Sequence, residues 1–473
     1  MDKYERFKEY ASIAFEKFKE VDKSETIRLV SHLDADGISA ASILIKALNT
    51  DNRKYSISIV QQLTCDVINE LSKEPYNVFV FTDLGSGQLK KIKEKLIGKQ
   101  IFILDHHQPE NVKAGSDVVH VNPHLFGIDG SKEVSGAGVV YYFVRSLNKK
   151  MEESAHIAII GAVGDVQEGE DGFLRLNNEI LETAIKKDKV KVIKGLRIFG
   201  AQTRPLHKVL EYSTDPYIPG VSGSESGAIQ FLRQIGIEPK NGKEWRKVVH
   251  LSEEELKKLV TGIVMKRLGE ENPHDVLGNV YILKDEEKES PLRDVKEFST
   301  LLNACGRMGK ASLGIGACLG DKKTKDRAVK SLNGYKREII SIINWYKDNK
   351  GNNDILVNDG YIIINAKDNV MASMIGTLAS ILSKSGDIKN GTFILGMAQL
   401  FDGYSKASLR ISGYKKHDVD LRDVIKEITD KVGGEAGGHK LAAGAMIRTE
   451  KEEEFVKAAQ EVLGKRAIEE GVG

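Results

Sequence analysis

The heptapeptide Ile101-Phe102-Ile103-Leu104-Asp105-His106-His107 constrains this chain more than any other stretch. Four apolar residues run directly into an acid and two imidazoles. The run is too short for a helix and reads as a buried strand. Its polar end then lies at the carboxyl edge of a sheet, where open α/β folds put their sites. Two more stretches have the same build. Residues 27–31 lead into His32-Leu33-Asp34-Ala35-Asp36-Gly37, and residues 78–81 lead into Thr82-Asp83. Three strands that each deliver carboxylate or imidazole to one edge point to a metal-dependent hydrolase.

The surrounding pattern agrees. Phe7, Ala11, Ala14, Phe15 and Phe18 recur at helical spacing. Strands are expected at 27–31, 55–60, 77–82, 100–104 and near 118–121. Helices are expected from Gly37 onward, near 64–72 and near 86–97. This alternation implies βαβ units and a mainly parallel sheet. Ser135-Gly136-Ala137-Gly138 opens a helix through Leu147, and an apolar segment over 157–163 ends at Gly164-Asp165. The predicted fold is therefore α/β, with a parallel-sheet catalytic domain over 1–190. Residues 191–290, with Pro205, Pro216 and Pro219, read as a mostly helical insertion, either a spacer or an interaction surface. Residues 291–350 hold a glycine-punctuated joining segment and a long connector helix over 325–348. A smaller α/β domain spans 351–473, with strands near 361–365, 392–398, 407–412 and 440–447 and helices at 371–384 and 419–431.

Composition narrows the partners. The 473 residues are 41% hydrophobic and 29% charged, with a net charge of +2. No global basic field advertises nucleic acid, so such a substrate needs a local cleft. The apolar runs fall far short of a membrane span, and the charged, amphipathic N-terminus has no signal-peptide core. Cys65, Cys305 and Cys318 form no CxxC and read as reduced thiols of a cytoplasmic protein.

The chemistry follows from the residue types. Phosphate ester hydrolysis needs a better nucleophile than water and a countercharge for the transition state. Two divalent ions about 3.5–4 Å apart supply both. Asp34 and Asp36 reach one pocket if their loop turns there. Asp83 is the bridging candidate. His106 supplies imidazole, and Asp165 adds a carboxylate from a separate element. Mixed carboxylate and imidazole ligation suits manganese better than magnesium. Asp105 and His107 are expected to orient a ligand or touch the phosphate. Each piece alone has a plainer reading: Asp-Gly after a strand is a common turn, Thr-Asp a helix cap, and paired histidines a surface feature. Their appearance at successive strand ends is what folding alone does not require. His124, in a proline-containing loop, is a candidate for facing the phosphate.

The last domain holds a second group. Gly433-Gly434 and Gly437-Gly438-His439 leave backbone amides unobstructed, as a phosphate cradle requires, or make only a tight helix-to-strand loop. Arg410 can pair bidentately with a phosphate. Lys415, Lys416 and His417 form either a solvated patch or a track for a phosphate backbone.

Asp105-His106-His107, taken with His32, Asp34, Asp36, Asp83 and Asp165 in that order, resembles the DHH phosphoesterase superfamily. Residues 437–444 resemble the glycine motif of the DHH-associated domain, and Leu302-Asn303-Ala304-Cys305-Gly306-Arg307 is similar to the joining region of RecJ-type exonucleases. The layout looks most like archaeal RecJ-like nucleases, relatives of the replicative-helicase subunit that partners the GINS complex. The resemblance implies that Asp34, Asp36, Asp83, His106 and Asp165 bind two manganese ions, magnesium being second choice, with His32 a further ligand or close neighbour. It implies that His107 stabilises the scissile phosphate, which makes His107, Asp105 and Asp83 the catalytic candidates. Arg410, His439 and the amides of Gly437 and Gly438 would grip single-stranded DNA or RNA, and a GINS subunit becomes a candidate partner. The additional OB-type domain of bacterial RecJ has no counterpart here, so polarity does not carry over. Two other functions stay open: a phosphoesterase of very short oligonucleotides or cyclic dinucleotides, and a non-catalytic replication scaffold.

Overall fold

Five apolar runs pair into a parallel sheet in the order β2-β1-β3-β4-β5. They are β1 (Ile27–His32), β2 (Tyr55–Val60), β3 (Val78–Thr82), β4 (Gln100–Leu104) and β5 (Val118–Val121). The architecture is α/β, in a computed structural model that describes every residue except 170, 214–215, 271, 386, 402, 414–418 and 470–473. The chain divides into two compact units, Met1–Leu332 and Asn333–Gly473. The division falls inside the long helix Lys322–Asn349.

Strands β3 and β4 read as near-continuous apolar runs because both faces of the sheet are covered there. Side chains alternate across a strand. Leu29, Val80, Phe102 and Leu104 join Phe7, Phe15, Ile43 and Phe143 in one buried cluster, on helices Lys3–Lys19, Ala35–Thr50 and Gly136–Val144. Val30, Phe79, Phe81, Ile101 and Ile103 join Ile68, Leu71, Leu89 and Ile92 in a second cluster, on helices Cys65–Lys73 and Leu89–Lys95. The chain leaves β1 toward β2 on one side and returns to β3 on the other. The crevice at the carboxyl ends of β1 and β3 is thus the topological switch point.

Several elements differ from the sequence expectation. The helix expected from Gly37 begins at Ala35, because Asp34 caps it by accepting the Gly37 N–H at 2.9 Å. The helix expected over 86–97 is a 3₁₀ turn, Ser86–Gln88, followed by Leu89–Lys95. The glycine-punctuated joining segment is helical, Val295–Arg307 followed by Ala311–Cys318. Strands β6 (Val190–Leu196) and β9 (Leu277–Leu283) pair antiparallel and bracket the insertion. Between them lie a short hairpin, β7 (Lys240–Asn241) and β8 (Glu244–Trp245), and helices Leu206–Glu211, Glu225–Gln234 and Glu253–Lys266. Leu206, Leu210, Phe231, Leu232, Leu259 and Ile263 give this region its own apolar core.

The second unit carries a six-stranded sheet in the order β10-β11-β12-β13-β15-β14. Its strands are β10 (Ile355–Asn358), β11 (Tyr361–Asn365), β12 (Phe393–Gln399), β13 (Tyr404–Ile411), β14 (Glu435–His439) and β15 (Ala442–Arg448). Only β11 and β12 run parallel; the other neighbours are antiparallel. The sequence expectation made 433–439 a loop. Instead Glu435–His439 pairs with β15 as an edge strand. Among the described residues no helix is long and apolar enough to cross a membrane.

Candidate metal centre

Strand register aligns the polar ends of the first sheet. Ser31 pairs with Thr82, and Thr82 pairs with Leu104. The residues that follow, His32, Asp83 and Asp105, therefore emerge side by side. Asp83 adopts φ +59°, a left-handed conformation costly for a residue with a side chain. Its N–H donates to the Leu104 carbonyl at 3.0 Å, which holds the bend in place. A Cβ at residue 136 would lie 2.5 Å from Asp83 Oδ1, so Gly136 is what gives this carboxylate its space.

Asp83 is 2% exposed, yet neither of its side-chain oxygens accepts a hydrogen bond. Oδ1 faces His106 Nε2 at 3.2 Å, and Oδ2 faces His32 Nδ1 at 3.5 Å. A buried carboxylate without donors is expensive unless a cation supplies the missing charge.

The other candidates fall on either side of it. His32, Asp34 and Asp83 form one group whose ligand atoms lie within 4.8 Å of one another, and Asp36, His106 and Asp165 form another. In the first, Asp34 Oδ2 is 2.9 Å from His32 Nδ1. In the second, His106 Nε2 lies 3.7 Å from Asp36 Oδ2 and 3.8 Å from Asp165 Oδ2. His106 Nδ1 donates to the Gly130 carbonyl at 2.7 Å. That bond fixes the tautomer and turns the Nε2 lone pair toward the carboxylates. Asp36 accepts from Gly136 N at 2.6 Å and Ala137 N at 3.0 Å, at the N-terminus of helix Gly136–Val144. Gly161 keeps this approach open, since a Cβ there would be 2.4 Å from Asp36 Oδ1.

Titration reflects the crowding of acids. Burial, then the Asp83 charge, pushes Asp36 well above the usual carboxylate range. Burial raises Asp165 to about 6, with Asp83 and Asp34 adding to it and His106 partly opposing. Burial acts against charge on Asp34 as well, but the adjacent His32 outweighs it and holds that carboxyl low. Burial would lower His32 and His106, yet the surrounding carboxylates raise both. A pair of divalent cations fits the pocket's donor set of imidazole and carboxylate.

Asp105 and His107 occupy a different position. Asp105 is fully buried and its oxygens are taken. Oδ1 accepts from His106 N at 2.8 Å, His107 N at 3.2 Å and His107 Nδ1 at 2.8 Å. Oδ2 accepts from Ser86 N at 2.9 Å. Asp105 thus holds the His107 imidazole directly and His106 through its backbone N–H. His124 sits in the 3₁₀ turn Pro123–Phe126, and its ring hydrogen-bonds the His106 backbone. A Cβ at residue 130 would be 2.8 Å from His124 Nε2.

Sequence reasoning missed several supports. Asn303 Oδ1 accepts from Ala35 N at 3.0 Å, and a Cβ at residue 306 would lie 1.6 Å from the Leu33 carbonyl. The joining helix therefore backs the His32–Asp36 loop. Its motif was visible in the sequence, but its contact was not. Gln167, two residues after Asp165, donates to Asp165 Oδ2 at 2.7 Å and to the Gly130 carbonyl at 2.8 Å. A polar residue just beyond a helix end carries no signal of that kind.

The second-unit candidates gather around β13–β15. Arg410 Nε donates to Ser380 Oγ at 3.0 Å, and Nη1 to the Leu409 carbonyl at 2.8 Å. Leu409 pairs with Ala443, and Ala443 with Gly438, which places Arg410 two strands from the glycines. Gly437 and Gly438 are exposed, and Gly438 adopts φ +127°. His439 ends the edge strand and is half-buried. Lys415, Lys416 and His417 lie outside the described residues.

A parallel sheet whose adjacent strand ends carry this acid–imidazole set is the phosphoesterase fold of the DHH class. The chain belongs to the DHH family. The profile of the DHH family N-terminal domain matches residues 26–164, that of the DHH-CID domain residues 198–280, and that of the DHHA1 domain residues 358–465. An uncharacterized protein of Methanocaldococcus jannaschii is 32% identical over 445 residues, 93% of this chain and 94% of that one. A putative SPbeta prophage-derived single-strand DNA-specific exonuclease of Bacillus subtilis is 23% identical over 39% of this chain and 34% of its own length. The fold is also that of RecJ from Thermus thermophilus in complex with Mn2+ (TM-score 0.57, 16% identity, 97% of this chain). This chain spans 55% of that protein. CDC45 from Entamoeba histolytica superposes with a TM-score of 0.62 at 12% identity, over 96% of this chain and 99% of its own.

Proposed function

We propose that the protein is a divalent-metal-dependent exonuclease that hydrolyses single-stranded DNA or RNA to mononucleotides. One observation carries this reading: Asp83 directs its two hydrogen-bond-free oxygens at two separate groups of ligand-type side chains. That is what a carboxylate bridging two cations requires. His32 and Asp34 would hold one ion, and Asp36, His106 and Asp165 the other. When bound, such a pair lowers the pKa of water and neutralises charge on the phosphate oxygens. Manganese is the preferred ion, in keeping with the imidazoles; the Thermus protein is known with Mn2+ and with Mg2+.

The remaining roles fall to side chains of this chain. His107, held through Nδ1 by Asp105, would present Nε2 to a non-bridging phosphate oxygen. Arg410, His439 and the exposed backbone of Gly437 and Gly438 would grip the substrate strand near its end. The insertion would offer a docking surface to a replication-complex subunit of the GINS type, and the protein would act in the cytoplasm.

The test uses oligonucleotides labelled at one end, DNA and RNA in parallel, with manganese. Release of the label as a mononucleotide from one end, and a descending ladder from the other, is the expected result. Hydrolysis of dinucleotides alone would favour the short-substrate phosphoesterase. The CDC45 likeness motivates a non-catalytic scaffold as a second reading, and it would prevail if neither substrate is cut.

A further inference from the structure

We infer that Gln167 and Asn177 form a strap that sets one half of the metal centre and leaves the other alone. The inference rests on the two-metal reading above. Gln167 is 3% exposed and Asn177 fully buried. A directional chain of hydrogen bonds runs through them. Ser135 N donates to Asn177 Oδ1 at 3.4 Å, and Asn177 Nδ2 donates to Gln167 Oε1 at 2.7 Å. That contact fixes the orientation of the Gln167 amide. Its Nε2 then spends one hydrogen on Asp165 Oδ2 at 2.7 Å and the other on the Gly130 carbonyl at 2.8 Å.

The chain of hydrogen bonds reaches Asp165 directly and His106 and Asp36 through a shared neighbour. Asp165 is held directly. His106 is held through the shared acceptor, because its Nδ1–H ends on the same Gly130 carbonyl. Asp36 is held at the far end, where Ser135 caps the helix whose Gly136 and Ala137 amides bind it. The strap's hydrogen bonds reach neither His32 nor Asp34. The two groups would share Asp83 as a bridge, yet among the described residues the Gln167–Asn177 pair is fastened to only one of them.

Gln167 and Asn177 are therefore positioning residues with a one-sided effect. Outer-shell partners of this kind change metal affinity about 10- to 100-fold. The test is manganese titration calorimetry on the full-length protein, with spin-coupling in the manganese resonance spectrum as a second readout. The variants are Gln167→Met, Gln167→Glu and Asn177→Leu, with thermal melting to verify folding. Gln167→Glu keeps the acceptor for Asn177 but cannot donate to Asp165. Wild type should bind two ions. Each variant should keep one site at wild-type affinity, weaken the other about 10- to 100-fold, and lose the coupled signal. Gln167→Glu should be the worse of the two Gln167 variants. Two unchanged sites, or equal weakening of both in a folded variant, would overturn the strap. A wild-type protein that binds fewer than two ions would instead overturn the two-metal reading itself. Should Asn177→Leu fail to fold, the Gln167 pair decides alone.

Discussion

The two sheets solve opposite problems with glycine. In the first unit, glycines clear space inside the protein. A Cβ at 130, 136, 161 or 306 would collide with His106, Asp83, Asp36 or Leu33 at 2.5 Å or less. In the second unit the two motif glycines differ: Gly437 faces open space, whereas a Cβ at Gly438 would lie 2.5 Å from the Ala442 carbonyl, on an edge strand paired on one side only. Parallel strands also send all their carboxyl ends one way, so β1, β3 and β4 deliver three polar ends to one buried pocket. A mixed sheet cannot do so, and its candidate residues spread over neighbouring strands near an edge. A preorganised centre is built by burial, whereas a gripping surface is built by leaving backbone uncovered.

The largest expected effect lies in the buried centre. Asp83→Ala should cost roughly 4 kcal/mol of transition-state stabilisation, about a thousandfold in turnover, and should strip bound manganese while the fold survives. Turnover within tenfold of wild type would break the assignment. Next is Gly306→Ala, which drives a methyl into the Leu33 carbonyl. We expect a loss of about 3 kcal/mol in denaturant stability together with weaker metal binding. A melting curve that matches wild type would show that the joining helix does not hold the loop.

Arg410→Ala should raise KM on single strands about tenfold with both metals retained, since one charge-assisted contact is lost. An unchanged KM removes it from the grip. Gly437→Ala sharpens the contrast further. Stability should move by less than about 0.5 kcal/mol, because nothing lies within reach of the new methyl. KM should still rise if a strand lies against that backbone.

The smallest effect belongs to the insertion. Arg246 pairs with Glu255 at 2.7 Å and depresses the Glu255 pKa from 4.5 to about 2. A depressed acid stabilises the fold above its unfolded pKa and loses that contribution as pH falls through its folded value. The denaturation midpoint of wild type should therefore fall between pH 4.5 and 2 more than that of Glu255→Gln. Parallel curves would show the pair to be energetically idle.

Much of the first unit could be read in advance. Its apolar runs are bounded by polar ends, and a doubly covered strand has no alternation to confuse with a helix. The sequence shows that His32, Asp34, Asp36, Asp83, His106 and Asp165 follow strands or helix ends. It does not reveal how they partition into two groups, which depends on register and on the crossover between β2 and β3. The start of the helix at Ala35 was hidden because a cap is a side-chain event at a loop already marked by Asp-Gly. The edge strand at Glu435–His439 was hidden for a different reason: three of its five residues are Gly or Ala, which carry no strand propensity. Asn303 was illegible because its partner is a backbone atom far along the chain, and Gln167 and Asn177 because their bonds to Gly130 and Ser135 depend on tertiary packing.

The contact between the joining helix and the Leu33 turn also orders events in time. A ribosome completes the five strands and Asp165 early, while Asn303 and Gly306 follow about 140 residues later. At about 5–20 residues per second, that leaves a delay of roughly 7–30 seconds. Throughout it the His32–Asp36 turn exists without its backing. The candidate ligand residues are therefore made well before the last brace that backs their loop.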